Sequence, residues 1–195
     1  MIEKQIYQSL KRGVDLALVV AATPVVLPVA ALTALAVRLS SPGPILYWSN
    51  RMGANGRVFS MPKFRTMAVG TPAVATHLLT DPRSVLTPVG SFLRRSSLDE
   101  IPQLWSVLTG EMTLVGPRPA LFNQDDLITM RRASGVDRLV PGITGLAQIL
   151  GRDEIPVAQK VAYDREYLER CSLALDLRIL AQTILKVVRR EGVRH

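Results

Sequence analysis

The chain has 195 residues, 48% of them hydrophobic, and a formal net charge of +8. That length and apolar content suit one domain with a sizeable core and exclude a disordered chain. A lone Cys171 and two histidines exclude an internal disulfide and a Cys/His zinc site, while the positive balance points to an anionic partner: nucleic acid, an acidic membrane surface or a phosphorylated substrate.

From Leu16 to Val37 no residue is charged. At about 1.5 Å of rise per residue, such a helix could just cross a hydrocarbon layer about 30 Å thick. Lys4, Lys11 and Arg12 precede the run and Arg38 follows it, so the positive-inside tendency draws both flanks to the cytoplasm. Pro24 and Pro28 each remove a backbone donor in mid-run. A helix that enters, bends near Thr23-Pro24 and leaves by the same face meets both constraints, with the Thr23 hydroxyl on a freed carbonyl. A kinked single span and a buried soluble core helix remain as alternatives. Asp15 calls for an ion pair with Lys11 or Arg12, one turn away. Residues 1–40 are read as this anchoring segment and 41–195 as the globular domain.

Ile45–Ser49 and Arg57–Phe64 read as short strands joined by a tight turn at Asn55-Gly56. Lys63 and Arg65 follow in "KFRTM". The stretch from Ala68 to Pro88 reads as a long loop, and Thr87-Pro88 as the start of a short helix ending in Arg94 and Arg95. Next comes "SSLDEIPQLW", Ser96 to Trp105. Ser97 and Glu100 have capping-box spacing, but Pro102 favours Asp99 as the cap of a helix running to Thr109 and stopped by Gly110. In "VGPRP", Pro117 and Pro119 clamp Arg118 into an extended presentation suited to a fixed anion.

A polar helix is expected from about Asn123 to Ser134, ending at Gly135, then a turn-rich loop "PGITG", and a helix opened by Pro156 that carries Tyr163 and Asp164. The last helix, capped by Ser172, places Leu173, Leu177, Leu180, Ile184 and Val188 on one face, with Lys186, Arg189 and Arg190 at its end. That stripe is either core packing or a face lying in the membrane interface.

Lys63, Arg65, Arg94 and Arg118 together could bind a multiply charged phosphate ligand. A carboxylate pair, Asp99 and Glu100, in such a site would repel it. Mg2+ resolves the conflict, because it takes one or two carboxylates together with substrate phosphates, and an Asp carboxylate is a known covalent nucleophile. No Walker loop or kinase motif set is present.

"KRGVD", "KFRTM", "LRRSSLDEIPQLWSVLTGEMTLVGPRP", "PGITG" and "YDREY" resemble the bacterial sugar transferases, monotopic phosphoglycosyl transferases that initiate glycoconjugate assembly. The resemblance implies transfer of a sugar 1-phosphate from a UDP-sugar to undecaprenyl phosphate at the cytoplasmic face of a bacterial inner membrane, with Mg2+ and release of UMP. It implies a mostly helical α/β fold: a re-entrant membrane helix, a compact cytosolic domain with a small β-hairpin, and interfacial amphipathic helices. Asp99 would be the nucleophile and touch Mg2+, and Glu100 would complete the dyad. Pro117, Arg118 and Pro119 would bind nucleotide, and Arg94 phosphate. Lys11, Arg12 and Asp15 would mark the membrane entry, and Thr23 and Pro24 the break. Where relatives often carry Ser, Trp and Asn, this chain has Thr23, Leu146 and Leu150, which leaves the donor sugar open; a homodimer is also left open. A nonenzymatic anchor on anionic lipid is the competing class, and nucleic-acid binding fits less well with 5% aromatic residues.

Overall fold

The structure is a computed structural model and describes residues 2–72, 74, 81, 84–151 and 155–189. It opens with one long helix, α1 (Ile2–Ser40), which contains both prolines. The apolar segment is long enough to cross a membrane by length and composition, and only 11% of its most apolar stretch is buried. That exposure removes the buried core helix from the alternatives. Residues 20–32, which carry Pro24 and Pro28, include no fully buried side chain. On either side of them the helix does pack. Val19 joins Phe59, Met61, Val107 and Met112, and Val37 joins Phe64 and Leu93. Both flanks of the apolar run therefore rest against one globular body.

Strands β1 (Leu46–Met52) and β2 (Val58–Phe64) form the expected antiparallel hairpin, with Leu46 opposite Phe64 and Met52 opposite Val58. Asn55 (φ 55) and Gly56 (φ 74) take the positive angles read from the sequence. They do so inside a 3-10 turn, Ala54–Gly56, closed by Gly53 N to Arg57 O at 2.7 Å, so the connection is longer than a two-residue turn. Pro62 is tolerated in β2 because a two-stranded sheet consists of edges.

Helix α2 (Gly90–Ser96) ends at Ser97, whose left-handed backbone (φ 57) turns the chain into a 3-10 turn at Leu98–Glu100. Helix α3 (Gln103–Thr109) starts after Pro102 and stops at Gly110 (φ 86). The helix expected from Asp99 is thus corrected: Asp99 lies in the 3-10 turn, and its side chain caps nothing. Two prolonged constraints explain the difference, since Pro102 supplies no amide donor and its fixed φ suits the entry to a helix.

Strands β3 (Thr113–Val115) and β4 (Gly142–Thr144) pair in parallel, bringing the "VGPRP" and "PGITG" segments side by side. A Cβ on Gly142 would lie 2.1 Å from Gly116 N, and one on Gly145 would lie 2.1 Å from Gly116 O, so the approach demands glycine. Helices α4 (Asp125–Ala133), α5 (Leu146–Leu150), α6 (Val157–Arg170) and α7 (Leu173–Arg189) complete the described chain. Pro156 stands at the start of α6 as expected, and Ser172 Oγ accepts from Leu175 N at the start of α7. The leucine stripe of α7 is divided. Ile179 is fully buried and Leu180 and Leu175 are packed beside it, whereas Leu177, Ile184 and Leu185 are exposed. Arg190 and part of the loop after Ala68 lie outside the described residues.

Candidate active site

Three elements converge on one carboxylate: Lys63 from the end of β2, Glu100 from the 3-10 turn, and Arg118 from the loop after β3. Lys63 Nζ donates to Glu100 Oε1 at 3.0 Å, and Arg118 Nη2 donates to the same oxygen at 2.7 Å. Burial alone would raise the Glu100 carboxyl, but the charges and hydrogen bonds of Arg118 and Lys63 outweigh it and hold the group well below the usual carboxylate range. Lys63 is shifted down, by burial first, with Glu100 opposing the shift.

Asp99 is buried beside this cluster, and no hydrogen bond among the described residues reaches its carboxylate. Burial pushes it up to about 6; the Lys63 charge resists, the neighbouring Glu100 adds to the rise, and Arg94 and Arg118 resist further. One carboxylate of the pair is thus committed to cations within the protein, and the other is held ready with cations nearby.

The Pro117–Pro119 loop is fixed through its carbonyls. Pro117 O accepts from Gly142 N at 2.9 Å, Arg118 O from Arg131 Nη1 at 2.8 Å, Pro119 O from Arg51 Nη1 at 3.2 Å and Ala120 O from Met52 N at 2.9 Å. Two prolines and four anchored carbonyls leave the Arg118 side chain as the adjustable part. Behind Pro117 opens a small cleft, walled by Met52, Ile128, Val136 and Leu139 and edged by Arg131 and Arg132. Neither Asp99 nor Glu100 lines it.

The sequence profile of the bacterial sugar transferases matches residues 6–190. The chain belongs to the bacterial sugar transferase family. A UDP-glucose:undecaprenyl-phosphate glucose-1-phosphate transferase of Escherichia coli is 40% identical over 91% of this chain and 40% of its own length. The exopolysaccharide production protein ExoY of Sinorhizobium fredii is 37% identical over 93% of this chain and 87% of its own length. The uncharacterized sugar transferase EpsL of Bacillus subtilis is 39% identical over 84% of this chain and 79% of its own length. The chain spans less than half the length of several curated relatives, such as that of Escherichia coli.

Within this sugar transferase, several expected site residues fall elsewhere than the sequence suggested. Arg65 is not brought to Glu100. Its three guanidinium nitrogens each donate to a carbonyl, those of Pro44 (2.7 Å), Pro42 (2.9 Å) and Ser41 (2.9 Å), which fixes the exit from α1. The expected ion pair of Asp15 with Lys11 or Arg12 is also absent. Asp15 accepts from Thr113 Oγ1, Lys11 Nζ donates to Asp176 at 2.7 Å, and Arg12 donates to the Val107 and Leu108 carbonyls at the end of α3. Tertiary partners win because Thr113 and Asp176 are buried and need a counterpart, whereas an exposed pair one turn away gains little. Thr23 Oγ1 bonds Val19 O at 2.8 Å, next to the Val20 carbonyl that Pro24 leaves without a donor, and not that carbonyl itself.

Sequence reasoning missed Arg51, Arg131, Tyr7 and Asp176 as members of this framework. Asp176 receives Lys11, Tyr7 (2.9 Å) and Tyr167 (2.6 Å). Its signal was present in the sequence: an acidic residue flanked by Leu173, Leu177 and Leu180 on an apolar helix face must be buried and therefore paired.

Proposed function

We propose that the chain transfers a sugar 1-phosphate from a UDP-sugar to undecaprenyl phosphate, yielding undecaprenyl diphosphate-sugar and UMP, as the first membrane step in building a polysaccharide. The observation that carries this reading is the contrast within the carboxylate pair: Glu100 is tied to Lys63 and Arg118, while Asp99 receives no hydrogen bond from any described residue. The substrate class comes from relatives named UDP-glucose:undecaprenyl-phosphate glucose-1-phosphate transferase.

In the first step an Asp99 carboxylate oxygen attacks the phosphorus that bears the sugar. The bond from that phosphorus to the bridging oxygen of the diphosphate breaks, and UMP leaves with the electron pair. In the second step an oxygen of undecaprenyl phosphate attacks the same phosphorus, and Asp99 leaves as a carboxylate. The acceptor phosphate has a second pKa near 6, so it is largely dianionic at neutral pH and needs no base. Glu100 therefore serves as the counterion that orients Lys63 and Arg118 toward the donor phosphates, and Arg94 adds positive charge beside Asp99. The Pro117–Pro119 loop holds the nucleotide diphosphate.

Mg2+ suits the donor set. Among the described residues no cluster of three or more His, Cys, Asp or Glu could cage a metal, and a single carboxylate completed by substrate phosphates and water is a common Mg2+ environment. Asp99 is the carboxylate open to it. Bound there, the ion would offset repulsion between that carboxylate and the diphosphate.

A monotopic placement on the cytoplasmic face of the inner membrane is supported by the two packed flanks of α1 and by the exposed, proline-bearing segment between them. Exposed Leu177, Ile184 and Leu185 on α7, and Trp105 and Leu108 on α3, suit the interface.

The test is UMP release in detergent with undecaprenyl phosphate and a panel of UDP-sugars. One donor is expected to turn over, and Asp99→Asn to lose on the order of a thousandfold or more with the fold retained. Unchanged turnover in Asp99→Asn would remove that residue from the chemistry.

A further inference from the structure

The ion pair between α4 and α6 lies outside the Lys63–Glu100–Arg118 cluster, and its stabilising value alone does not account for it. Arg131 directs two nitrogens at one oxygen of Asp164, Nε at 3.0 Å and Nη2 at 2.6 Å, and the third, Nη1, at the Arg118 carbonyl at 2.8 Å. Asp164 is 2% exposed, and the pair stands beside the apolar contacts of Ala120, Leu127 and Val161. A buried ion pair is weak as a source of stability, because apolar residues of similar volume often do as well. What apolar residues could not do is hold a carbonyl in a chosen direction.

That direction matters at this position. Pro117 and Pro119 have fixed φ angles, and Pro119 confines the ψ of Arg118 to the extended range, so the φ of Arg118 is the soft torsion left in the loop. The carbonyl of Arg118 turns with that torsion. A donor that fixes the carbonyl fixes the plane from which the Arg118 side chain departs toward Glu100.

We infer that Arg131, locked by Asp164, is a positioning residue that sets the backbone of Arg118 and so preorganises its guanidinium for the diphosphate of the nucleotide donor. The inference rests on the proposed reading of the Pro117–Pro119 loop as the donor site. It assigns a task to Asp164 of the "YDREY" motif: the residue acts at the donor loop through two intermediates, without touching the donor. Three positions along the same helix, Tyr167 binds Asp176, which holds Lys11 at the start of α1. Helix α6 thus braces the donor loop at one point and the membrane helix at the other.

Lysine cannot replace Arg131 in this task. Its single ammonium lacks the planar fork that meets a carboxylate on one edge and a carbonyl on another. The experiment measures UDP affinity by calorimetry in detergent with Mg2+, for Arg118→Ala, Arg131→Lys and the double variant, alongside steady-state kinetics on the donor found by the UMP-release panel. Arg131→Lys is expected to weaken UDP about threefold to tenfold, the worth of one hydrogen bond. The loss should appear in the donor KM more than in kcat, and the double variant should bind no more weakly than Arg118→Ala. A neutral pair, Arg131→Gln with Asp164→Asn, leaves no buried charge unpaired and is expected to lose the same affinity; it keeps the test open should Arg131→Lys fold poorly. Wild-type affinity in the Arg131 variants with weakened Arg118→Ala would overturn this inference alone, as would additive losses in the double variant. Wild-type affinity in Arg118→Ala would overturn the donor-loop reading and this inference with it.

Discussion

Among the described residues Glu100 accepts hydrogen bonds from two cations and Asp99 from none, although they are consecutive in the chain. The difference originates in the 3-10 turn, which points one carboxylate at β2 and the Arg118 loop and leaves the other without a donor among the described residues. Burial displaces Asp99 from its usual 3.8 to about 6, and a factor of ten in proton affinity corresponds to 1.36 kcal/mol, so the ionised form is destabilising by roughly 3 kcal/mol. The sign follows for stability. The folded state prefers protonated Asp99, so stability is fully present below the unfolded value and is lost as pH rises through about 6. Asp99→Asn is therefore expected to unfold at higher temperature than the parent at pH 8 in EDTA, and at the same temperature near pH 3.5. A variant that gains stability while losing activity is the pattern of a strained functional site. Equal melting at both pH values would contradict the electrostatic account.

At the scale of elements, Arg12 caps the carbonyl end of α3 from the neighbouring helix α1. Arg12→Ala is expected to lower stability by about 1–2 kcal/mol, read from thermal unfolding in detergent, and Arg12→Lys to recover part of it. If Arg12 served only lipid headgroups, melting in neutral detergent would not change. The sequence made the hairpin, α6 and α7 legible because Asn55-Gly56, Pro156 and Ser172 act on their immediate neighbours. It hid β3 and β4, whose three residues each are too few to show a period and whose pairing depends on glycines far apart in the chain. The Asp99–Glu100 pair and Arg118 were legible from residue type and spacing. The partners of Arg65, Asp15 and Arg131 were not, because a guanidinium or carboxylate carries no sequence mark of which distant group it will meet. Arg65 accordingly looked like a ligand for phosphate and proved to be a clamp on the α1 exit.

For the whole molecule, one body contacts both flanks of the apolar run, so a single crossing would have to separate surfaces that pack together. Cysteines placed at Gln8 and Leu39, with Cys171 replaced, are expected to react with an impermeant maleimide from the same side of sealed inner-membrane vesicles. Reaction from opposite sides would contradict the re-entrant placement and leave the chemistry standing. The proposed chemistry depends on a sugar phosphate resting on Asp99 between two half-reactions. The most direct measurement is a rapid quench of the protein with a turned-over UDP-sugar labelled in the phosphate next to the sugar, with acceptor lipid withheld, followed by peptide mass spectrometry. The account predicts a burst of up to one UMP per chain and label on the peptide containing Asp99, discharged when undecaprenyl phosphate is added. Product formation with no labelled protein at any quench time, and with UMP appearing only after the acceptor is present, would contradict it.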